Sequence, residues 1–208
     1  MILALETSTR RASLAVYDRG SGALVAEADF TTERAHNAAI FTPLEKLIAE
    51  YRTELEGIVV GLGPGSYGGV RVGLAVANGL SVAMGLPVAG ASSLEAWDSP
   101  SDSYLVVGDA RRGTFFVALV RDRILQGEPD LIAEAEVAGF LENPLAEGLA
   151  LHTSDPKVAA AFPLAILSFP VAGRLAARFR ETDFSAMPRT ALEPHYLRAP
   201  YITLPKAK

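Results

Sequence analysis

Three antiparallel strand candidates, followed by helices that alternate with parallel strands, predict an α/β protein of two lobes. That order is the pattern of an actin-like ATPase (ASKHA) lobe, built on the ribonuclease H-like motif. A plain doubly wound fold would alternate from its first strand. A second run of antiparallel strands begins after the linker-like stretch Ser99 to Ser103 and predicts a smaller second lobe. The lobes are drawn at residues 1–102 and 103–208, with the tail left to pack back on the first lobe.

The chain in order justifies each element. Ile2 to Ser8 is a strand that ends in the polar cluster Glu6-Thr7-Ser8-Thr9. Arg11 to Tyr17 alternates as its antiparallel neighbour, Asp18 to Gly22 is a turn, and Ala23 to Phe30 is the third strand. A helix is predicted from about Ala35 to Tyr51, because Ile40, Phe41, Leu44, Leu47, Ile48 and Tyr51 share one face. Pro43 should bend it, since proline removes a backbone donor. Ile58 to Val60 is a short β-branched run and a candidate buried strand. Gly61 to Gly69 is a glycine-rich loop. Val70 to Met84 is then a helix with only Arg71, Asn78 and Ser81 as polar interruptions. Pro87 to Ala91 is a strand, and Ser92 or Ser93 caps a further helix from near Leu94. Trp97 on that helix is expected in the core.

The second half is less sharply patterned. Tyr104 to Gly108 and Thr114 to Val120 are strands joined by the turn Asp109 to Gly113, with a third strand near Ile124 to Leu131. Glu134 to Leu141 and Pro156 to Phe162 are short helices around a strand at Leu149 to His152. Pro170 to Phe179 is a better helix, and Glu193 to Arg198 is irregular or extended.

The helix at Val70 to Met84 makes a demand of its own. A helix apolar nearly all round must be covered on nearly all sides. One side can lie on its own sheet; the other calls for a second helix, from this chain or from a partner. Gly69, Gly73 and Ala77 fall on one stripe of small residues, and Ala75, Gly79 and Ala83 on another. Interior glycine costs a helix about 1 kcal/mol against alanine, so such stripes suit a close backbone neighbour.

Composition bounds the function. The chain has 208 residues, half of them hydrophobic, yet no apolar run of membrane length, so no membrane partner is expected. Met1 to Leu5 is apolar but ends at Glu6 with no basic leader, and a cytoplasmic protein is expected. Cysteine is absent, which excludes thiol catalysis and cysteine-ligated zinc. A net charge of −5 argues against gripping nucleic acid alone.

The candidate chemistry is sparse. Gly63 to Gly68 matches G-x-G-x-x-G between a strand and a helix, but Val88 and Ala89 stand where a dinucleotide site needs an acid. No Lys-Ser or Lys-Thr follows, so the loop is not a Walker A motif. Two readings remain: an anion nest at the helix N-terminus, using Thr7, Ser8, Gly65 and Ser66, or a tight strand-to-helix turn. None of His36, His152 and His195 has metal-ligand spacing, and no nucleophile elbow is present.

At Gly63-Pro64-Gly65-Ser66, followed by Gly69-Val70-Arg71-Val72-Gly73, the chain resembles the TsaB (YeaZ) family. Leu3 to Ser8, His36 with Pro43, Asp109 to Gly113 and Pro194 to Arg198 carry the same likeness. The resemblance implies an actin-like fold of two lobes and a non-catalytic scaffold subunit. Its sister transferase TsaD adds threonylcarbamoyl to N6 of adenosine 37 in ANN-decoding tRNA. That enzyme holds its metal with a His-x-x-x-His pair, and the matching positions here are Ser93 and Trp97. The resemblance further implies pairing with a TsaD-like transferase, joined by a TsaE-like ATPase. Contact with tRNA would come only through that complex. No cofactor is expected on this chain alone, with ATP or ADP entering in the complex, and the free chain is expected to form a homodimer. The partner interface is placed on His36, Ile40, Leu44, Val70, Arg71, Gly73, Leu74 and Ala77. Glu6, where many relatives carry Asp, and Gly68, where many carry Thr, weaken nucleotide binding by this chain. The alternatives are an actin-like ATPase or kinase acting alone and, further off, a metallopeptidase.

Overall fold

Alternation in the first strand decides how the first lobe is layered. In the computed structural model, which describes residues 1–31, 37–187, 190 and 192–197, β1 spans Ile2–Glu6. Ile2 and Ala4 point to one face of the sheet, Leu3 and Leu5 to the other, and all four are buried. A strand buried on both faces belongs at the centre of a covered sheet. β2 (Arg11–Asp18) and β3 (Ala23–Thr31) continue antiparallel from it on one side. β4 (Gly57–Gly61) and β5 (Val88–Ala91) continue parallel on the other, giving the order β3-β2-β1-β4-β5.

Two helices cover the first face. α1 (Phe41–Tyr51) contributes Leu44 and Leu47, and α2 (Tyr67–Met84) contributes Val70, Leu74 and Ala77, packed on Leu3, Leu5, Val60 and their neighbours. The bend expected at Pro43 is absent. Asn37–Ile40 is a 3₁₀ turn and α1 starts at Phe41, so Pro43 sits in the first turn, where its missing N–H has no partner to lose. Ala35, the expected helix start, and His36 lie outside the described residues.

The second sheet repeats the plan. β6 (Tyr104–Asp109) and β7 (Thr114–Arg121) are antiparallel, and β10 (Ala150–Thr153) and β11 (Ala165–Leu167) run parallel to β6. The single strand expected at Ile124 to Leu131 is two short ones, β8 (Ile124–Leu125) and β9 (Asp130–Ala133), both paired with β7. α3 (Glu134–Ala146) and α4 (Pro156–Ala161) cover one face. β11 escaped the sequence reading because three residues are too few to show a period.

The chain passes between the lobes twice. The helix expected from Leu94 is only a 3₁₀ turn, Ser93–Ala96, capped by Ser92. Trp97 is extended, bridged to Pro170, and buried in the core as expected. Beyond the returning strand, α5 (Ala172–Ala177) lies on the second face of the first sheet, where Ala4, Ala15 and Ala89 leave room for it. The Ser13 hydroxyl accepts from the Ala172 amide at 2.8 Å. Phe184 follows α5 onto that face, its ring against the bare backbone of Gly57.

The two small-residue stripes of α2 differ in what they meet. A Cβ at Gly69 would overlap the Thr7 carbonyl, and one at Gly73 the Thr7 hydroxyl. A Cβ at Gly79 would meet nothing within 4 Å. Gly69→Val is therefore expected to destabilise by about 1–3 kcal/mol through overpacking, whereas Gly79→Ala should stabilise by roughly 0.5–1 kcal/mol through helix propensity. Urea unfolding of the two variants checks both signs.

Candidate functional site

The tip of the β1–β2 hairpin and the head of α2 are built against each other. Gly65 presses on the Ser8 carbonyl so closely that no side chain fits. The Ser66 amide donates to the Ser8 carbonyl at 2.6 Å, and the Thr7 hydroxyl donates to the Gly69 carbonyl at 2.8 Å. The Ser66 hydroxyl caps α2 by accepting from the Gly69 amide at 3.3 Å. Thr7, Ser8, Gly65 and Ser66 are thus brought together, with Ser66 bonded to Ser8 and Thr7 to Gly69. These contacts form a tight strand-to-helix turn at the head of α2.

Glu6 stands behind this junction, 0 % exposed. Its Oε1 accepts from the Ser8 amide at 2.7 Å, while Oε2 and the Ser8 hydroxyl have no hydrogen-bond partner of good geometry. Burial pushes the carboxyl above its ordinary range; the Ser8 hydroxyl and amide, the Ser93 hydroxyl and the Thr7 amide pull the other way. The two positions that the resemblance matches to the transferase's metal pair are hydrogen-bonded within the chain. The Ser93 hydroxyl accepts from the Gly63 amide at 3.1 Å, and the Trp97 indole donates to the Ser168 hydroxyl at 2.8 Å. Among the described residues no group of His, Cys, Asp or Glu is placed to hold a metal ion.

The expected interface residues need correction. Ile40, Leu44, Val70, Gly73, Leu74 and Ala77 are all buried against the chain's own first sheet. Their apolar spacing marked the inward face of each helix, so they offer no surface to a partner. His36 lies outside the described residues, and Arg71 alone of the set is exposed. The open face of α2 is the next stripe round: Gly68, Arg71, Ala75, Gly79, Val82 and Ala83 are exposed. Val82 is 86 % exposed, and Arg71 is the one charge in the helix. Ala75, Gly79 and Ala83 were visible in the sequence as the second small stripe, but nothing local told it from the first.

The head of that stripe is clasped by the tail. The His195 amide donates to the Leu62 carbonyl at 2.8 Å, Leu192 packs on the core beneath, and the Tyr196 ring stacks on Tyr67 at 5.4 Å. The Arg71 guanidinium lies 3.9 Å over the Tyr67 ring and donates to the Tyr196 hydroxyl at 2.8 Å. This cluster went unread because Tyr196 lies 125 residues beyond Arg71 in the chain; the only local signal was Tyr67 and Arg71 at i, i+4. Arg198, at the end of the same motif, lies outside the described residues.

With this geometry in hand, a family model described as "TsaD: tRNA N6-adenosine threonylcarbamoyltransferase" matches residues 30–198. The chain belongs to the TsaD family. An uncharacterised protein of Mycobacterium leprae is 32 % identical over 209 residues, covering 96 % of this chain and 55 % of that protein. The protein named TsaB in Haemophilus influenzae is 30 % identical over 133 residues, covering 59 % and 55 %. The chain therefore matches about half the length of these relatives. The structure called YeaZ from Pseudomonas aeruginosa superposes with a TM-score of 0.74 at 21 % identity, over 94 % of this chain and 99 % of that one, which places the fold. Among the described residues no helix is long and apolar enough to cross a membrane.

The sign of the Glu6 contribution follows from its raised folded-state value. Its stabilisation is complete below the unfolded value of about 4.3 and is lost as pH rises through the folded value. At neutral pH the charge is a liability, so Glu6→Gln should raise the melting temperature at pH 7. That gain should vanish on acidification below the ordinary carboxylate range, as scanning calorimetry across pH would read.

Proposed function

We propose that this chain is a non-catalytic scaffold in tRNA threonylcarbamoyladenosine modification, docking a TsaD-like transferase on the open face of α2. The observation that carries the reading is the uncharged exposed stripe Ala75, Gly79, Val82 and Ala83. Small residues there let a second helix approach closely, and burying a side chain as open as Val82 stabilises a complex by about 1.5 kcal/mol or more. Ser93 and Trp97 add a second line of support. The resemblance matches each to a metal-ligand position of the sister enzyme, and each is tied into the core by its own hydrogen bond.

In this reading a TsaE-like ATPase joins the pair, and tRNA is met through the complex. ATP or ADP enters there too, since the Ser66 amide and the Thr7 hydroxyl already have acceptors within the chain. The free chain uses the same stripe to form a homodimer.

Three measurements decide the matter. On gel filtration with a TsaD-like transferase, the wild-type chain should co-elute. Val82→Glu and Ala75→Glu should weaken that association at least tenfold, at about 1.4 kcal/mol per decade, while melting unchanged. Co-elution indifferent to both substitutions would remove the α2 face from the proposal. Light scattering of the free chain should give a dimer, and calorimetry with ATP should give no saturable heat; turnover of ATP by the purified chain would instead favour a stand-alone ATPase.

A further inference from the structure

The two passages between the lobes are bonded to each other, and one titratable side chain sits on their seam. The Val171 amide donates to the Ala96 carbonyl and the Asp98 amide to the Phe169 carbonyl, both at 2.9 Å, so the crossings form a short two-stranded ribbon. Side chains extend the ribbon into the second lobe. The Trp97 indole N–H donates to the Ser168 hydroxyl at 2.8 Å, and that hydroxyl lies 2.7 Å from Nδ1 of His152 on β10. His152 is 1 % exposed, its Nε2 has no partner, and the Tyr104 ring meets it edge-on at 5.6 Å.

Counting protons gives this relay a direction. The indole can only donate, so the Ser168 oxygen accepts there. Its single hydrogen is then available to Nδ1, which accepts it only while the ring is neutral. A second proton on the ring turns Nδ1 into a donor. The Ser168 hydrogen must swing away, and a positive charge stands among apolar neighbours, with Nε2–H as unpaired as it is in the neutral ring. We infer that Trp97, Ser168 and His152 form an acid-sensitive latch on the interlobe ribbon, closed with His152 neutral and released when its ring is doubly protonated.

The surroundings favour the neutral form. Burial is the largest influence on the ring, and it lowers the affinity for the second proton. Asp98, on the outgoing crossing, acts through space to favour the charged ring, and Arg123, at the β7–β8 turn, opposes it. Arg123 is held where it is, with its guanidinium donating to the Trp97 and Ser99 carbonyls at 2.7 Å and to Asp102 at 2.8 Å. The same cation that pins the outgoing crossing therefore helps to keep His152 neutral. Tyr104 carries no charge at neutral pH, and its hydroxyl is occupied by the Leu94 carbonyl at 2.9 Å.

The chain supplies its own reporter, because Trp97 is its one tryptophan. Emission from the full chain should be steady from pH 8 down to the ordinary histidine range. Below that it should fall and shift to the red, reversibly, with far-UV circular dichroism unchanged. In His152→Asn, whose side chain offers the Ser168 hydroxyl an acceptor that does not titrate, the transition should be lost. A transition that survives in His152→Asn, or none in the wild-type chain before global unfolding, overturns the latch. A second measurement needs no change at the relay. The chain has no cysteine, so exposed Glu45 on α1 and Glu142 on α3 can be replaced by cysteine and spin-labelled in the otherwise wild-type protein. The interlobe distance should shift or broaden in step with the His152 ring signals in NMR. A ring that titrates while that distance stays fixed overturns it equally.

Discussion

Where the first hairpin meets the head of α2, backbone lies against backbone. The Thr7 and Ser8 carbonyls occupy the space that side chains at Gly69 and Gly65 would need. Hydrogen bonds from the Ser66 amide and the Thr7 hydroxyl close the remaining gaps. This junction sets the distance and rotation of α2 on the sheet. Because it is tight, Val70, Leu74 and Ala77 are forced inward onto β1 and β4, and the stripe from Arg71 to Val82 is left outward. One steric requirement thus decides both what the core contains and what the surface offers.

The same junction sets the polar contacts of the site. In a nucleotide-binding lobe the hairpin tip and the glycine loop would hold donors open to a phosphate. Here the Ser66 amide and the Thr7 hydroxyl have internal acceptors, the Ser8 hydroxyl has none, and Glu6 behind them is buried deeply enough for its charge to be disfavoured. Ser93 and Trp97 follow the same pattern, each engaged within the chain. Such internal engagement suits the part proposed for this member of the TsaD family, which is to carry a partner.

The seam between the lobes is held differently. There the chain uses polar side chains in sequence: indole, hydroxyl, imidazole, with Arg123 gripping the carbonyls alongside. A polar seam is directional and depends on protonation, whereas the glycine junction depends only on shape. The two lobes are therefore joined by a link that chemistry can alter, while the outward face of α2 is set by a contact that it cannot.

Order and type of elements were plain from the chain because they rest on short-range periods. Alternation marked β2, and a β-branched run, a glycine-rich loop and a long apolar run marked β4 and α2. The family likeness rested on the glycine loop in the same local way. The facing of α2 was not plain. Its two small stripes have the same spacing and nearly the same residues, and the difference lies in Thr7, 62 residues before Gly69. Likewise the helix expected from Leu94 shrank to one 3₁₀ turn because Trp97 pairs with Pro170, far along the chain. Tyr67, Arg71 and Tyr196 met only once the tail had crossed back. Periodicity says that a helix has a face; which atoms stand opposite that face is a property of the folded whole, since packing joins residues that the chain keeps apart.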